Sequence, residues 1–175
     1  MPAALIAAMV KIAFSMQHSL AADPPAILGE MNRTLMGKCE NRFITAAYVY
    51  LDAEARTLLC AGAGHTPVLV HRRKTGELLR IVPKGRVLGV WKDTTFEAES
   101  LHIEEGDRVI LYTDGITECG NRERELFGEE RFYELVQSGG DLSKPALVDL
   151  VVGRISQWSG GTEFDDDLTM IVIDL

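Results

Sequence analysis

The 175 residues are 46% hydrophobic and 25% charged, a balance that suits one ordinary globular domain and lets it bury roughly 70% of its unfolded surface. A net charge of -8 and a pI near 5 argue against a nucleic-acid backbone as the main partner, because phosphate binding needs a basic face and the basic clusters here are short. Cys39, Cys60 and Cys119 are odd in number, widely spaced and without a CxxC or Cys/His pattern, which excludes a disulfide framework or zinc site and fits a reducing cytoplasm.

The opening 1–22 carries Ser19-Leu20-Ala21, which resembles a cleavage site, but it has no basic start and Lys11 interrupts its apolar core, so a signal peptide is not expected. No run approaches the roughly 18 apolar residues needed to cross a bilayer. Leu5, Met9, Ile12 and Met16 recur at spacings of four, three and four, the period of an amphipathic helix over 3–20 with Pro2 suited to its first turn. No Ser, Thr, Asp or Asn caps that start. Asp23-Pro24-Pro25 breaks the helix and caps a second, about 26–38, carrying Ile27, Leu28, Met31 and Leu35.

From Arg42 the period becomes that of strands, at 43–51, 57–61, 68–73, 78–82, 95–103 and 108–113, separated by Gly, Asp or Pro turn signals. Arg72-Arg73-Lys74 reads as a solvated hairpin tip. Two helices follow at about 129–137 and 144–158, and 168–173 closes the chain as a buried strand. Helices, a run of strands, helices and a last strand predict an α+β fold in layers rather than a doubly wound parallel sheet, with 1–175 as a single domain.

Two segments carry the chemistry. In 108–118 an apolar strand ends at Asp114; in 165–173 Asp166 precedes one. Strands lying antiparallel and close together in one sheet would bring both carboxylates to the same edge. Two carboxylates about 4 Å apart repel by roughly 4 kcal/mol at an effective dielectric near 20, so one is protonated or a cation lies between them. Oxygen-only ligation suits Mg²⁺ or Mn²⁺, with the remaining positions left to water and substrate phosphate. Two such ions about 3.5 to 4 Å apart would activate a bridging water for in-line displacement at phosphorus. On the residues alone, a strand-ending turn at Asp114-Gly115 and a solvated acidic loop at 165–167 account for the pattern as well.

The elements Tyr112-Thr-Asp-Gly-Ile-Thr-Glu118, Asp166-Asp-Leu-Thr169, Ala61-Gly-Ala-Gly-His-Thr-Pro67, Phe43-Ile-Thr-Ala46 and Val87-Leu-Gly-Val90 add a further signal. In type and order they closely resemble the SpoIIE-like, RsbU-like branch of the metal-dependent (type 2C, PPM) serine/threonine protein phosphatases, over the whole length. The resemblance implies an α-β-β-α sandwich of mainly antiparallel sheets flanked by helices, two Mn²⁺ or Mg²⁺ ions in the complete domain, and hydrolysis without a phosphoenzyme. Through the family's T-D-G and D-D/N-x-T elements, it makes Asp114 and Asp166 the metal ligands, catalytic through metal-activated water. Gly115, Glu118 and Asp167 would surround them, Glu118 fixing the loop after Asp114 and Asp167 supporting a ligand or facing substrate. Asp165 and Glu163 lie beside the site, where a solvated loop explains them equally. His65, in the family's A-G-H turn, is expected to be architectural, and Gly62 stands where an Asn is common.

The family's other signature, D-x-x-G-H-G, normally sits immediately before a helix beginning like Met1-Pro-Ala-Ala-Leu-Ile6, and these residues start just after it. By resemblance its aspartate bridges the two metals and its histidine protonates the leaving group. The expectation is therefore an N-terminally truncated domain with about half the metal site, weak Mn²⁺ or Mg²⁺ binding and impaired activity. The resemblance further implies, as substrate, a phosphorylated STAS-type regulator that antagonises an anti-sigma factor. An upstream sensor domain would act through the first helices, and a homodimer would form through residues 3–38 or an exposed sheet edge. The cytoplasm is the expected compartment, with no nucleic acid and no membrane in this segment. A non-catalytic interaction module that keeps the fold is the alternative. Third stands a domain acting on nucleotides or other small phosphoesters, which no Gly-x-x-x-x-Gly-Lys loop supports.

Overall fold

The computed structural model describes residues 3–40, 42–161, 164 and 166–175. The expectations for Pro2, Glu163 and Asp165 lie outside the described residues. In chain order the elements are α1 (Ala3–Ser15), α2 (Pro24–Leu35), β1 (Ala46–Asp52), β2 (Thr57–Ala63), β3 (Val68–Arg72), β4 (Glu77–Ile81) and β5 (Ala98–His102). They continue with β6 (Arg108–Tyr112), α3 (Asp114–Thr117), α4 (Glu129–Ser138), α5 (Lys144–Ser159) and β7 (Met170–Asp174). They fall into two units, Met1–His65 with Ile81–Ile103, and Thr66–Arg80 with Glu104–Leu175.

In the first unit, a three-stranded sheet runs in the order β1-β2-β5 with antiparallel pairing. Helix α2 begins where Asp23 accepts the Ala26 N–H at 3.1 Å, and Pro24 suits its first turn because its missing N–H would have had no helical partner. Ile27, Leu28, Met31 and Leu35 form its buried stripe and share a core with Ala61, Ala63 and Leu88. Gly62 has a steric reason: a Cβ there would stand 2.0 Å from Pro83 Cβ, so the close approach admits no side chain.

Helix α1 departs from expectation in length and in the face it buries. It stops at Ser15, whose hydroxyl donates to the Ile12 carbonyl at 2.9 Å, while the Gln17 amide donates to Ala13; a separate 3-10 turn covers His18–Leu20. Ala13 is its buried residue, with Met9 and Val10 packed beside it, whereas Leu5, Ile12 and Met16 point outward. With Lys11 as the only charge in an otherwise apolar helix, the spacing could not say which face packs.

In the second unit, the four strands run β4-β3-β6-β7, with β6 antiparallel to both neighbours. Ile110 and Tyr112 of β6 share a core with Phe132, Val136, Leu147, Val151 and Ile155 of α4 and α5, and Val109 is buried as well. At the start of β6 the Arg108 guanidinium is fully buried. It grips both carboxylate oxygens of Asp174, at 2.6 and 3.2 Å, and donates to the Gly140 carbonyl at 3.3 Å. Removing one member of such a pair strands a charge and typically costs about 3–5 kcal/mol.

Two further expectations need correction here. Strand β7 lies at the sheet's edge and is not buried; Ile171 is 51% exposed, since β6 is the neighbour on one side only. The basic run at 72–74 is a hairpin tip only in part. Arg72 pairs with buried Asp107, and Arg73 donates to the Gly140 carbonyl at 3.2 Å, which leaves Lys74 outermost, bonded to Glu104.

Candidate metal centre

Asp114 follows β6 and Asp166 precedes β7, and the antiparallel register places Tyr112 opposite Met170. Both aspartates therefore leave the ladder at the same end. Past that last pair the chains stay joined by the Thr113 N–H donating to the Thr169 carbonyl at 3.0 Å. The return bond runs from the Thr169 N–H to the Thr113 hydroxyl oxygen at 3.1 Å, and that hydroxyl donates to the Asp167 carbonyl at 3.2 Å. The Tyr112 carbonyl is held from the other side by the Thr66 hydroxyl at 2.6 Å.

Asp114 opens the short helix α3, and its carbonyl accepts the Glu118 N–H at 2.7 Å and the Thr117 hydroxyl at 3.2 Å. The Asp166 carboxylate accepts the Asp167 N–H at 2.7 Å. The tightest approach is at Gly115: a Cβ there would lie 2.6 Å from the Asp167 carbonyl oxygen and 3.6 Å from Asp166 Cβ. The backbone beside one aspartate thus rests on the backbone that carries the other. Asp114, Glu118, Asp166 and Asp167 are all exposed, while Gly115 is buried.

Of the residues singled out from the sequence, Asp114, Gly115, Asp166 and Asp167 meet at this edge. Glu118 contributes its backbone, which closes α3, and carries its side chain outward. His65 is half-buried in the turn after β2. Glu163 and Asp165 lie outside the described residues. The threonines at 66, 113 and 169 lie inside the motifs read from the sequence but carried no role there; the available signal was two hydroxyl residues placed one before Asp114 and three after Asp166.

A donor set of exposed carboxylates fits a hard divalent cation such as Mg²⁺ or Mn²⁺ and has no soft ligand to favour zinc or copper. Among the described residues no group of three His, Cys, Asp or Glu stands close enough to hold an ion, so the set fits as part of a coordination sphere.

The family model described as Stage II sporulation protein E (SpoIIE) matches residues 1–175. The phosphoserine phosphatase RsbU of Bacillus subtilis is 27% identical over 173 residues, 98% of this chain and 51% of that protein, so the chain spans about half the length of this relative. The SiaA-PP2C domain of Pseudomonas aeruginosa superposes with a TM-score of 0.84 at 23% identity, covering 98% of this chain and 70% of that one. The phosphatase domain of SpoIIE from Bacillus subtilis, presoaked with Mn, gives a TM-score of 0.65 at 16% identity over 93% of this chain and 73% of that one. These likenesses agree with the antiparallel sheets flanked by helices described above. Matched along its full length by the family model, the chain belongs to the SpoIIE family.

Proposed function

We propose that residues 1–175 act as a single metal-dependent phosphoserine/phosphothreonine protein phosphatase domain in which Asp114 and Asp166 hold Mn²⁺ or Mg²⁺. The observation that carries this reading is the contact of Gly115 with Asp166 and Asp167, which brings two exposed carboxylate-bearing segments to one sheet edge. When bound, the dication lowers the pKa of a water nucleophile and offsets charge on the phosphoryl group during in-line displacement. The chain's own part is orientation. The Asp167 N–H holds Asp166 Oδ1, and the Glu118 N–H and Thr117 hydroxyl hold the Asp114 carbonyl, which steadies both ligand-bearing segments. Because the carboxylates are exposed, the site suits a phosphorylated residue presented on another protein.

RsbU is named a phosphoserine phosphatase and the SpoIIE structure was soaked with Mn, which supports both the reaction and the metal. By the same kinship the substrate is a phosphorylated STAS-type regulator that antagonises an anti-sigma factor, an upstream sensor domain governs activity, and a homodimer forms through residues 3–38 or an exposed sheet edge. We place this chemistry in the cytoplasm, in keeping with three widely spaced cysteines, odd in number and without a CxxC pattern. Two carboxylates bind a dication weakly, so low activity is expected of the 175 residues by themselves. That same sparse ligand set favours one second reading, an interaction module without catalysis.

The test is release of phosphate from a phosphoserine peptide and from para-nitrophenyl phosphate with Mn²⁺, for this chain and for one extended upstream. Higher activity in the extended form, lowered about 100-fold or more by Asp114→Asn or Asp166→Asn with folding intact, is the expected result. No activity in either form, both folded, favours the interaction module, and a preference for free nucleotide over phosphoprotein overturns the protein substrate.

A further inference from the structure

At the point where β6 and β7 part, the ladder runs short of an acceptor. Thr113 and Thr169 stand opposite each other, one step beyond the Tyr112–Met170 pair, and an antiparallel pair of this kind normally exchanges two backbone bonds. One is present, from the Thr113 N–H to the Thr169 carbonyl at 3.0 Å. The other is replaced: the chain turns into α3, where the Thr113 carbonyl accepts the Ile116 N–H at 3.1 Å. The Thr169 N–H is received instead by the Thr113 hydroxyl at 3.1 Å, and the hydroxyl's own proton goes to the Asp167 carbonyl at 3.2 Å. A single side-chain oxygen thus stands in for a backbone carbonyl and also ties down the residue after Asp166.

We propose that Thr113 is the positioning residue of the metal centre: its hydroxyl fixes the 167–169 segment against the start of α3 and so sets Asp166 relative to Asp114. A hydroxyl is the group that can do this, since it accepts and donates through one atom. Valine has the same shape and neither capacity, and it would leave the Thr169 N–H and the Asp167 carbonyl without their partner. Serine keeps both bonds. The proposal rests on Asp114 and Asp166 being the metal ligands. Supporting residues of this kind commonly change metal affinity about 10–100-fold when removed.

The experiment compares the wild-type chain, Thr113→Val and Thr113→Ser by Mn²⁺ titration followed by electron paramagnetic resonance, and by amide hydrogen exchange without metal. Thr113→Val is expected to weaken Mn²⁺ binding about ten-fold and to speed exchange at the Thr169 amide, while far-ultraviolet circular dichroism stays that of the wild type. Thr113→Ser is expected to retain wild-type affinity and protection. Wild-type Mn²⁺ affinity and wild-type Thr169 protection in a folded Thr113→Val chain would overturn the role of Thr113 while leaving the metal reading standing. A wild-type chain that takes up no Mn²⁺ would overturn the metal reading, and the positioning role with it.

Discussion

His71 is 3% exposed, its Nδ1 has no hydrogen-bond partner among the described residues, and a Cβ on Gly140 would lie 2.0 Å from the ring's Cε1. Burial lowers its pKa below the ordinary histidine value; Asp141 works against that shift, Arg108 and Arg73 add to it, and Asp107 opposes it. The sign of the linkage follows. An unfolded chain takes up a proton at this histidine near pH 6.5 and the folded chain resists it, so stability holds above about pH 6.5 and falls as pH drops through the interval down to the folded value. Asp174 acts in a separate and lower range. The hydrogen bond from Arg108 holds its carboxyl below the usual carboxylate value, so its stabilisation is present above about pH 4 and is lost as pH falls through the lowered value. Urea unfolding is therefore expected to show a lower midpoint at pH 5.5 than at pH 7.5, and His71→Leu should flatten that difference. An unchanged slope in the variant would mean that other groups carry the dependence.

At the scale of elements, one substitution made in two helices should act with opposite signs. In α2, Gly29 has nothing within 4 Å of an added Cβ, so Gly29→Ala should raise stability by about 0.5–1 kcal/mol through helix propensity. In α3, Gly115→Ala drives a methyl to 2.6 Å from the Asp167 carbonyl; the strain should cost about 1–3 kcal/mol and push Asp166 away from Asp114. Chemical denaturation of both variants measures the contrast, and weakened Mn²⁺ binding in Gly115→Ala alone would tie it to the site. This contrast also marks what a sequence can disclose. Asp23-Pro24-Pro25 announces α2 because cap and ring geometry are local, and the opposed polarity of Asp114 and Asp166 is visible because each lies next to its own strand. Helix α3 has four residues, too few to show a period. The edge position of β7 depends on strand order, which its own apolar residues do not encode. The bonds of Thr113 depend on register across 56 residues of chain, and the partners of Arg72 and Arg73 likewise come from distant segments.

For the whole molecule, the proposed homodimer has to form between chains of net charge -8. Like charges oppose self-association, and within about 10 Å at 0.1 M salt that repulsion is not screened. Against it stands apolar surface. On α1, Leu5 is 50% exposed, Ile12 59%, and Met16, just beyond the helix, 68%; the three lie at spacings of seven and four, which keeps them on one stripe. The edge of β7 offers less, because Ile171 is its one strongly exposed large apolar side chain and Asp174 at its end is bound by Arg108. Burial at about 25 cal/mol per Å² therefore favours the α1 stripe over the strand edge as the dimer contact. The expected behaviour in light scattering after size exclusion is a monomer–dimer equilibrium that shifts toward dimer as salt rises, since screening removes repulsion and leaves apolar burial intact. Ile12→Glu should return the chain to monomer, and Ile171→Lys should leave the equilibrium nearly unchanged. The reverse pattern would place the contact at the β7 edge, and a monomer at every concentration and salt would remove the dimer altogether.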